Sequence, residues 1–150
     1  RYGPAKRWGV PRFAAAARAL AARGFRVLVC GAAGERDECE AVAAAAGPGV
    51  RSLAGETDLP VQAALCARAA VALCNDSGLA HLAAAVGTPT VAIFGSTSSA
   101  WTAPLGSHVR ILQRAPVCSP CFRRTCRIGY RCLEAVEVGR VVQACLGTAA

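Results

Sequence analysis

Apolar and polar positions along the chain follow two alternating patterns. Short apolar, β-branched runs that end at glycine or polar residues indicate buried strands, whereas longer stretches rich in alanine and leucine indicate helices. The predicted strands are 26–30, 50–53, 70–74, 89–94 and 108–113. The predicted helices are 12–23, 35–46, 59–69, 78–86 and 137–146, and residues 115–132 form a predicted loop rich in cysteine and arginine.

This alternation predicts the fold class. Strands that are separated by helices build βαβ units, in which the strands are parallel and the helices cover both faces of the sheet. We therefore expect an α/β fold, a Rossmann-like three-layer domain with a parallel sheet. Ligands of such sheets bind beyond the carboxyl ends of the strands. Three predicted loops map there, namely 31–35, 75–78 and 95–101.

Composition narrows the classes of protein that fit. The chain has 150 residues, of which 54% are hydrophobic and 17% are charged, so it suits one folded domain and not a disordered segment. The longest apolar run, 79–94, is interrupted by polar residues and a proline, so we expect no membrane-spanning helix. Because the chain starts at Arg1 and contains no methionine, we expect it to be one domain of a longer protein.

The net charge points to anionic partners. The sequence has 17 basic and 9 acidic residues and a net charge of +8, which favours phosphorylated ligands, nucleic acid or an anionic membrane. Six arginines lie in the C-terminal third: Arg110, Arg114, Arg123, Arg124, Arg127 and Arg131. A basic nucleic-acid-binding α/β module is therefore an alternative function. Because few aromatic residues interleave with these arginines, we expect no nucleic-acid partner.

The nine cysteines fall into two groups. Five lie in apolar segments and are expected to be small buried side chains: Cys30, Cys39, Cys66, Cys74 and Cys145. The other four lie within fifteen residues: Cys118, Cys121, Cys126 and Cys132. They are candidate ligands of a structural metal ion, partners in a disulfide, or reduced structural thiols. A metal-binding module is thus a second alternative, although the spacing fits standard zinc and iron–sulfur patterns poorly.

The segment Asp76-Ser77-Gly78 precedes and opens a predicted helix. Free backbone N–H groups and the helix dipole at such a position bind phosphate, and Gly78 allows a close approach. The earlier Gly31-Ala-Ala-Gly34 loop matches neither the dinucleotide fingerprint nor the P-loop. Asp76 itself repels a phosphate, so two tasks are open for it. It either caps the helix or accepts hydrogen bonds from ligand hydroxyls.

Several motifs together resemble the family-nine glycosyltransferases, the lipopolysaccharide heptosyltransferases. They are Asn75-Asp-Ser-Gly-Leu-Ala-His-Leu-Ala-Ala-Ala85, Gly87-Thr-Pro89, Phe94-Gly-Ser-Thr97 and Tyr2-Gly-Pro-Ala-Lys-Arg-Trp8. The pattern of Cys118, Cys121, Cys126 and Cys132 is similar to that of the inner-core heptosyltransferase II subgroup. The resemblance implies that residues 1–150 are the C-terminal, nucleotide-sugar-binding half of a GT-B enzyme, whose N-terminal acceptor domain lies outside this chain.

The resemblance assigns donor-binding roles. It implies inverting transfer of L-glycero-D-manno-heptose from ADP-heptose to the inner core of lipopolysaccharide. Lys6 matches the lysine that neutralises the donor diphosphate, which is also its catalytic role, and the alternative is a solvated surface cation. Asp76, Ser77 and Gly78 match the loop around the diphosphate and heptose. Glu35 matches an acidic residue on the adenosine ribose, with a helix N-terminal charge equally open.

Two further positions remain open between alternatives. His81, on the predicted fourth helix, either faces the ligand crevice as a donor-binding residue or packs beneath it. Thr97 and Ser98 either contact donor oxygens or form a local turn.

The resemblance also implies which parts of the chemistry lie elsewhere. The general base is expected in the N-terminal domain, so this half alone should have little or no transferase activity. No cofactor is expected, because the Lys6 cation stabilises the leaving diphosphate without a metal. The implied partners are ADP-heptose, the lipopolysaccharide acceptor and the N-terminal domain. The six C-terminal arginines face either lipopolysaccharide phosphates or an anionic membrane surface at the inner leaflet, which suits a peripheral enzyme better than nucleic acid does. The implied location is cytoplasmic, at the inner face of the inner membrane.

Overall fold

The computed structural model describes residues 2–149, in which helices and strands alternate. The helices are α1 (Val10–Ala21), α2 (Arg36–Ala46), α3 (Leu59–Ala67), α4 (Gly78–Ala85), α5 (Ser99–Thr102), α6 (Arg131–Glu134) and α7 (Val138–Thr148). The strands are β1 (Val27–Val29), β2 (Val50–Ser52), β3 (Ala72–Asn75), β4 (Thr90–Phe94) and β5 (Val109–Gln113). Short 3₁₀ turns occur at Pro4–Lys6 and Ala33–Glu35. The predicted α/β fold class is confirmed, and within residues 2–149 no helix is long and apolar enough to cross a bilayer.

The described chain divides into two compact units. The first unit contains residues 2–8 and 63–149, and the second contains residues 9–62. Helix α3 spans the boundary between them in sequence.

The second unit contains a two-stranded parallel sheet and two helices. Strands β1 and β2 pair in register from Val27 with Val50 to Val29 with Ser52. Helices α1 and α2 pack together around small buried residues, including Ala14, Ala17 and Ala46. The Arg18 guanidinium donates to the carbonyls of Ala45 and Ala46, which closes the end of α2.

The first unit is built on a three-stranded parallel sheet in the order β3-β4-β5. All five residues of β4 are buried, as expected for a central strand that is covered on both faces. The hydroxyl groups of two threonines near the start of this strand donate hydrogen bonds to backbone carbonyls. Thr90 donates to the carbonyl of Thr88 and Thr88 donates to the carbonyl of Cys66, each at 2.7 Å. The core around β4 therefore contains polar groups without leaving these hydroxyls unpaired.

Strand pairing differs in one respect from the single sheet that the pattern predicts. Among the described residues, β1 and β2 form one hydrogen-bonded sheet and β3, β4 and β5 form another. The short helices α5 and α6 are also additions, and α6 begins inside the segment that is predicted as a loop. Apolar patterning identifies strands but carries no information about which backbone N–H meets which carbonyl, so it does not determine the number of sheets.

The segment 2–8 is fixed at the carboxyl ends of β3 and β4. The Trp8 side chain is fully buried, and its indole N–H donates to the Val136 carbonyl at 2.9 Å. The Trp8 backbone N–H donates to Asn75 Oδ1 at 3.0 Å, and the Ser96 N–H donates to the Ala5 carbonyl at 3.3 Å. These long-range contacts determine where Lys6 lies.

Candidate functional site

A buried carboxylate with two side-chain partners lies immediately after β3. The Asp76 side chain is 3% exposed, and Lys6 Nζ lies 2.6 Å from its Oδ2 atom. The Thr97 hydroxyl donates to the same oxygen at 2.5 Å. The Lys6 Nζ also lies 4.6 Å from the centre of the Tyr2 ring, within range of a cation–π contact. A charge is tolerated in such a buried place only when it is paired and hydrogen-bonded, and Asp76 meets both conditions.

Three separate segments bring this network together. Asp76 follows β3, and its backbone N–H continues the ladder to the Ile93 carbonyl at 3.0 Å. Thr97 follows β4, and Lys6 arrives with segment 2–8. Because β3 and β4 are parallel, the residues that follow them emerge at the same edge of the sheet. Lys6 is only 19% exposed and is paired, so it is not a solvated surface cation.

Asp76 does not cap the helix, which corrects one of its two predicted tasks. Helix α4 begins at Gly78, its N-cap position is Ser77, and no side-chain cap hydrogen bond forms there. The Asp76 carboxylate is held instead by Lys6 and Thr97. An ion pair stabilises a buried carboxylate more than a single hydrogen bond from a helix N–H does. Asp76 therefore pairs with Lys6 instead of capping α4.

The start of α4 is open to solvent. Ser77, Gly78 and His81 are all exposed, which excludes the alternative that His81 packs beneath the loop. A Cβ atom built on Gly78 would meet no atom within 4 Å, so packing within the described chain does not require glycine here. The first N–H groups of a helix lack intrahelical acceptors and carry partial positive charge. This end of α4 can therefore receive an anion.

Sequence patterns missed the roles of two residues near Lys6. The Tyr2 hydroxyl is buried and makes no hydrogen bond to the described residues, although most buried polar groups are paired. Thr97 is 3% exposed and bonds Asp76, so it is part of the network and not merely of a local turn. The turn prediction does describe Ser98, whose carbonyl accepts the N–H groups of Trp101 and Thr102. Only the position of Thr97 after an apolar strand pointed to the site.

Glu35 belongs to the second unit. Its Oε2 atom accepts the backbone N–H of Ala32 at 3.1 Å, which stabilises the turn after β1. Glu35 stands at the N-cap position of α2, with Asp37 and Glu38 in the first turn. These three carboxylates favour the helix N-terminus electrostatically, as the helix-charge alternative predicts.

None of the nine cysteines, all of which lie within the described residues, forms a disulfide. Cys118, Cys121, Cys126 and Cys132 line one small cavity together with Ser96, whose buried hydroxyl makes no hydrogen bond to described residues. No three His, Cys, Asp or Glu side chains within residues 2–149 are arranged to hold a metal ion. The geometry therefore gives no support to the four cysteines as metal ligands, and of the three alternatives it shows free thiols.

Local backbone and burial set the acidity of individual thiols. The N–H of Ile128 donates to Cys126 Sγ at 3.5 Å, and this bond, with those from Tyr130 and Gly129, lowers the pKa of Cys126. Burial raises the pKa of Cys145 to about 11. Of the five cysteines predicted to be buried, three are buried and two are half-buried: Cys66, Cys74 and Cys145, then Cys30 and Cys39.

The fold and this site define a class of protein. A parallel α/β sheet with a fixed cation and an exposed helix N-terminus at its carboxyl edge is an architecture for binding phosphorylated ligands. The profile described as glycosyltransferase family 9 (heptosyltransferase) matches residues 1–131. The chain belongs to glycosyltransferase family 9.

Individual relatives agree with this assignment. Lipopolysaccharide heptosyltransferase 2 of Escherichia coli (strain K12) is 36% identical over 116 residues, which are 75% of this chain and 33% of that protein. Lipooligosaccharide heptosyltransferase 2 of Haemophilus influenzae is 36% identical over 116 residues, with 75% and 34% covered. The chain thus spans 33–34% of the length of these curated relatives.

Solved structures share the fold. The structure of E. coli ADP-heptose lps heptosyltransferase II matches with a TM-score of 0.87 at 30% identity, covering 99% of this chain and 44% of that one. The E. coli heptosyltransferase WaaC with ADP matches with a TM-score of 0.78 at 23% identity, covering 97% and 41%. These matches support a heptosyltransferase fold, and none of the comparisons supports a metal-binding or nucleic-acid-binding module.

Proposed function

We propose that this chain binds the nucleotide-sugar donor of a heptosyltransferase. The donor is ADP-heptose and the acceptor is the lipopolysaccharide inner core, as the resemblance implies. The observation that carries the proposal is the Lys6 ammonium, held 2.6 Å from Asp76 beside the exposed start of α4. The corresponding enzyme works at the cytoplasmic face of the membrane and has a GT-B arrangement. Its general base and acceptor site belong to a domain outside this chain.

Lys6 stabilises the departing diphosphate. When the glycosidic bond breaks, negative charge grows on the leaving nucleoside diphosphate, and a fixed cation beside it stabilises the transition state more than the ground state. An ammonium group has three N–H donors, so contact with Asp76 leaves donors for phosphate oxygens. Asp76 and Thr97 orient Lys6, which limits the reorganisation needed during reaction. This chemistry requires no cofactor.

The family resemblance assigns donor contacts to the remaining predicted residues. The N–H groups at Ser77 and Gly78 bind a phosphate, and the absence of a side chain at Gly78 permits close approach. His81, exposed one turn further along α4, contacts the donor. For Glu35, in the second unit, the resemblance implies hydrogen bonds from the adenosine ribose. These assignments follow the family resemblance, and the exposed positions of Ser77, Gly78 and His81 support them.

Calorimetric titration of the 150-residue chain with ADP and with AMP tests the proposal. We expect ADP to bind more tightly than AMP because the second phosphate meets Lys6. Lys6→Ala should weaken ADP binding by roughly 1.5–3 kcal/mol, the range for hydrogen bonds to charged groups. The matched control is Arg68→Ala, which removes an exposed cation before β3, away from the carboxyl edge. Equal ADP binding by the folded Lys6→Ala protein would contradict the proposal.

A second variant separates binding from stability, because Lys6→Ala also leaves the Asp76 carboxylate without its cation. Gly78→Ala places a methyl group in open space and should not destabilise the helix. If a phosphate lies against Gly78, this variant melts at or above the wild-type temperature yet binds ADP more weakly. A Gly78→Ala protein with unchanged ADP affinity would refute the phosphate subsite.

A further inference from the structure

We propose that Gln113, the last residue of β5, is a positioning residue for the Lys6 ammonium and thereby for the second phosphate of the donor. It acts through the loop that follows β4 and does not itself contact the donor. The inference rests on the proposed function, because the ligand concerned is the nucleotide that Lys6 binds. Neither the sequence patterns nor the motifs of the family resemblance single out this glutamine.

A chain of hydrogen bonds runs from Gln113 to Lys6. The Gln113 Nε2 atom donates to the Thr97 carbonyl at 2.9 Å. The Thr97 hydroxyl donates to Asp76 Oδ2 at 2.5 Å, and Lys6 Nζ lies 2.6 Å from the same oxygen. Thr97 therefore connects the end of β5 to the cation, through its carbonyl on one side and its hydroxyl on the other.

The contacts of Gln113 determine which way its side-chain amide points. A backbone carbonyl only accepts hydrogen bonds, so the atom that faces the Thr97 carbonyl must belong to the NH₂ group. The amide oxygen then faces Ser99, whose hydroxyl donates to it at 2.7 Å. Both ends of the half-buried amide are thus bonded, which holds the side chain in one orientation.

The loop after β4 is attached to two different parts of the first unit. The carbonyls of Gly95 and Ser96 accept hydrogen bonds from the segment 119–122. The Thr97 carbonyl instead accepts from Gln113, which the parallel ladder between β4 and β5 holds in register. Gln113 therefore fixes Thr97 relative to the sheet, while the two preceding residues are fixed relative to a loop.

Loss of the Gln113 amide should affect the cation more than the fold. Without this bond the Thr97 carbonyl is no longer fixed to β5, and the Thr97 hydroxyl no longer shares the charge on Asp76 Oδ2. That carboxylate then attracts Lys6 more strongly, so the ammonium interacts less with a phosphate oxygen. A net hydrogen bond corresponds to about a two- to tenfold change in an equilibrium constant.

Calorimetric titration of the 150-residue chain and of its Gln113→Leu variant with ADP and with AMP tests the inference. We expect ADP binding to weaken about two- to tenfold and AMP binding to stay unchanged, because AMP lacks the phosphate that meets Lys6. The matched control is Gln143→Leu, the same substitution at an exposed position of α7 in the same unit, which should bind both nucleotides as wild type does. Equal weakening of ADP and AMP binding in Gln113→Leu would show a purely structural role and overturn the inference.

A double-mutant cycle with Thr97→Val shows whether Gln113 acts through Thr97. Valine keeps the shape of threonine and removes the hydroxyl, so Gln113→Leu should have no further effect on ADP binding in that background. An undiminished effect of Gln113→Leu there would overturn the inference. If Gln113→Leu does not fold, Ser99→Ala decides the question. It frees the amide to rotate and should weaken ADP binding about twofold, whereas unchanged ADP affinity would overturn the inference.

The same titrations separate this inference from the proposed function. A wild-type chain that does not bind ADP contradicts the proposed function, and the inference with it. ADP binding that weakens in Lys6→Ala but is unchanged in folded Gln113→Leu overturns the inference alone.

Discussion

At the scale of single residues, the Lys6 and Asp76 pair is a buried ion pair and also the place where we propose that the donor binds. Breaking a buried ion pair by removing one partner typically costs about 3–5 kcal/mol, because the other charge stays buried and unpaired. The Thr97 hydroxyl shares that carboxylate oxygen and reduces the cost of burying it. Mutations at Lys6 therefore report on folding as well as on donor binding, and Gly78 is the cleaner position for testing phosphate binding.

The buried Cys145 thiol should make the stability of the folded chain depend on pH in the alkaline range. Burial raises its pKa from 9.0 to about 11, so the unfolded chain loses this proton at lower pH than the folded chain. The contribution of the protonated Cys145 thiol to the free energy of unfolding is fully present below pH 9. It is lost as the pH rises through about 11, and the loss reaches about 3 kcal/mol. Urea unfolding from about pH 8 to about pH 11 should show a steeper decline in wild type than in Cys145→Ala. Parallel declines in the two proteins would disprove this role.

At the scale of elements, small residues let segments approach the central strand closely. Ala80 and Ala83 on α4 are fully buried, as is Ala92 in β4. At the end of β4, a Cβ atom on Gly95 would lie 2.7 Å from the Ala5 carbonyl oxygen and 2.8 Å from the Leu133 side chain. Glycine at this position therefore allows the segment that carries Lys6 to lie directly on the end of the strand.

Gly95→Ala should disturb both stability and the site. The added methyl group overlaps a backbone carbonyl, which cannot yield as a flexible side chain can, so we expect a loss of about 1–3 kcal/mol in the free energy of unfolding. Displacement of Ala5 moves the adjacent Lys6, so ADP binding should weaken as well. Thermal melting and ADP titration measure the two effects.

Gly139→Ala is the matched control for Gly95→Ala. A Cβ there meets no atom within 4 Å and lies in α7, so the substitution should stabilise the chain by about 0.5–1 kcal/mol. A Gly95→Ala protein as stable as Gly139→Ala would show that segment 2–8 does not depend on this close approach.

At the scale of the whole molecule, the two units differ in charge. Segments 1–8 and 63–150 contain 11 basic and 3 acidic residues, whereas residues 9–62 contain 6 of each. The entire net charge of +8 therefore belongs to the sequence of the first unit, which also contains Lys6 and Asp76. The residues proposed to bind the donor phosphates and the net charge therefore belong to the same unit, apart from Glu35.

The rates of amide hydrogen exchange should differ between the parts of the first unit. Strand β4 is buried throughout and pairs on both sides, so its amides should exchange only on global unfolding. Residues 114–130 contain no helix or strand and are mostly exposed, so their amides should exchange fastest. Mass spectrometry of peptides from both regions measures the difference. Equally slow exchange in the 114–130 loop would mean that an interaction beyond those described holds it.

The order and type of the main elements could be predicted from sequence. Each predicted strand and helix lies within about two residues of the observed element, because apolar periodicity is local and reports directly on burial. The fully apolar run of β4 identified a strand covered on both faces. Short helices such as α6 were missed, because four residues are too few to show a period.

The candidate site could be predicted only in part. The residues Asp76, Ser77 and Gly78 stood out through their position between an apolar strand and a helix. Thr97 could not be assigned, because its bond to Asp76 joins residues 21 positions apart and no periodicity encodes it. Tyr2 was not singled out either, because its contact with Lys6 is a matter of side-chain orientation.

The sequence by itself determined the class of fold, the positions of most elements, the net positive charge and the motif that resembles the family. These properties depend on residues close together along the chain. Tertiary structure decided that β1 and β2 pair apart from β3, β4 and β5, that Asp76 bonds Lys6 and Thr97 instead of capping α4, and that four cysteines share a cavity as free thiols. Those outcomes depend on distances between segments far apart in sequence, where backbone hydrogen bonding and the cost of burying charge select one arrangement.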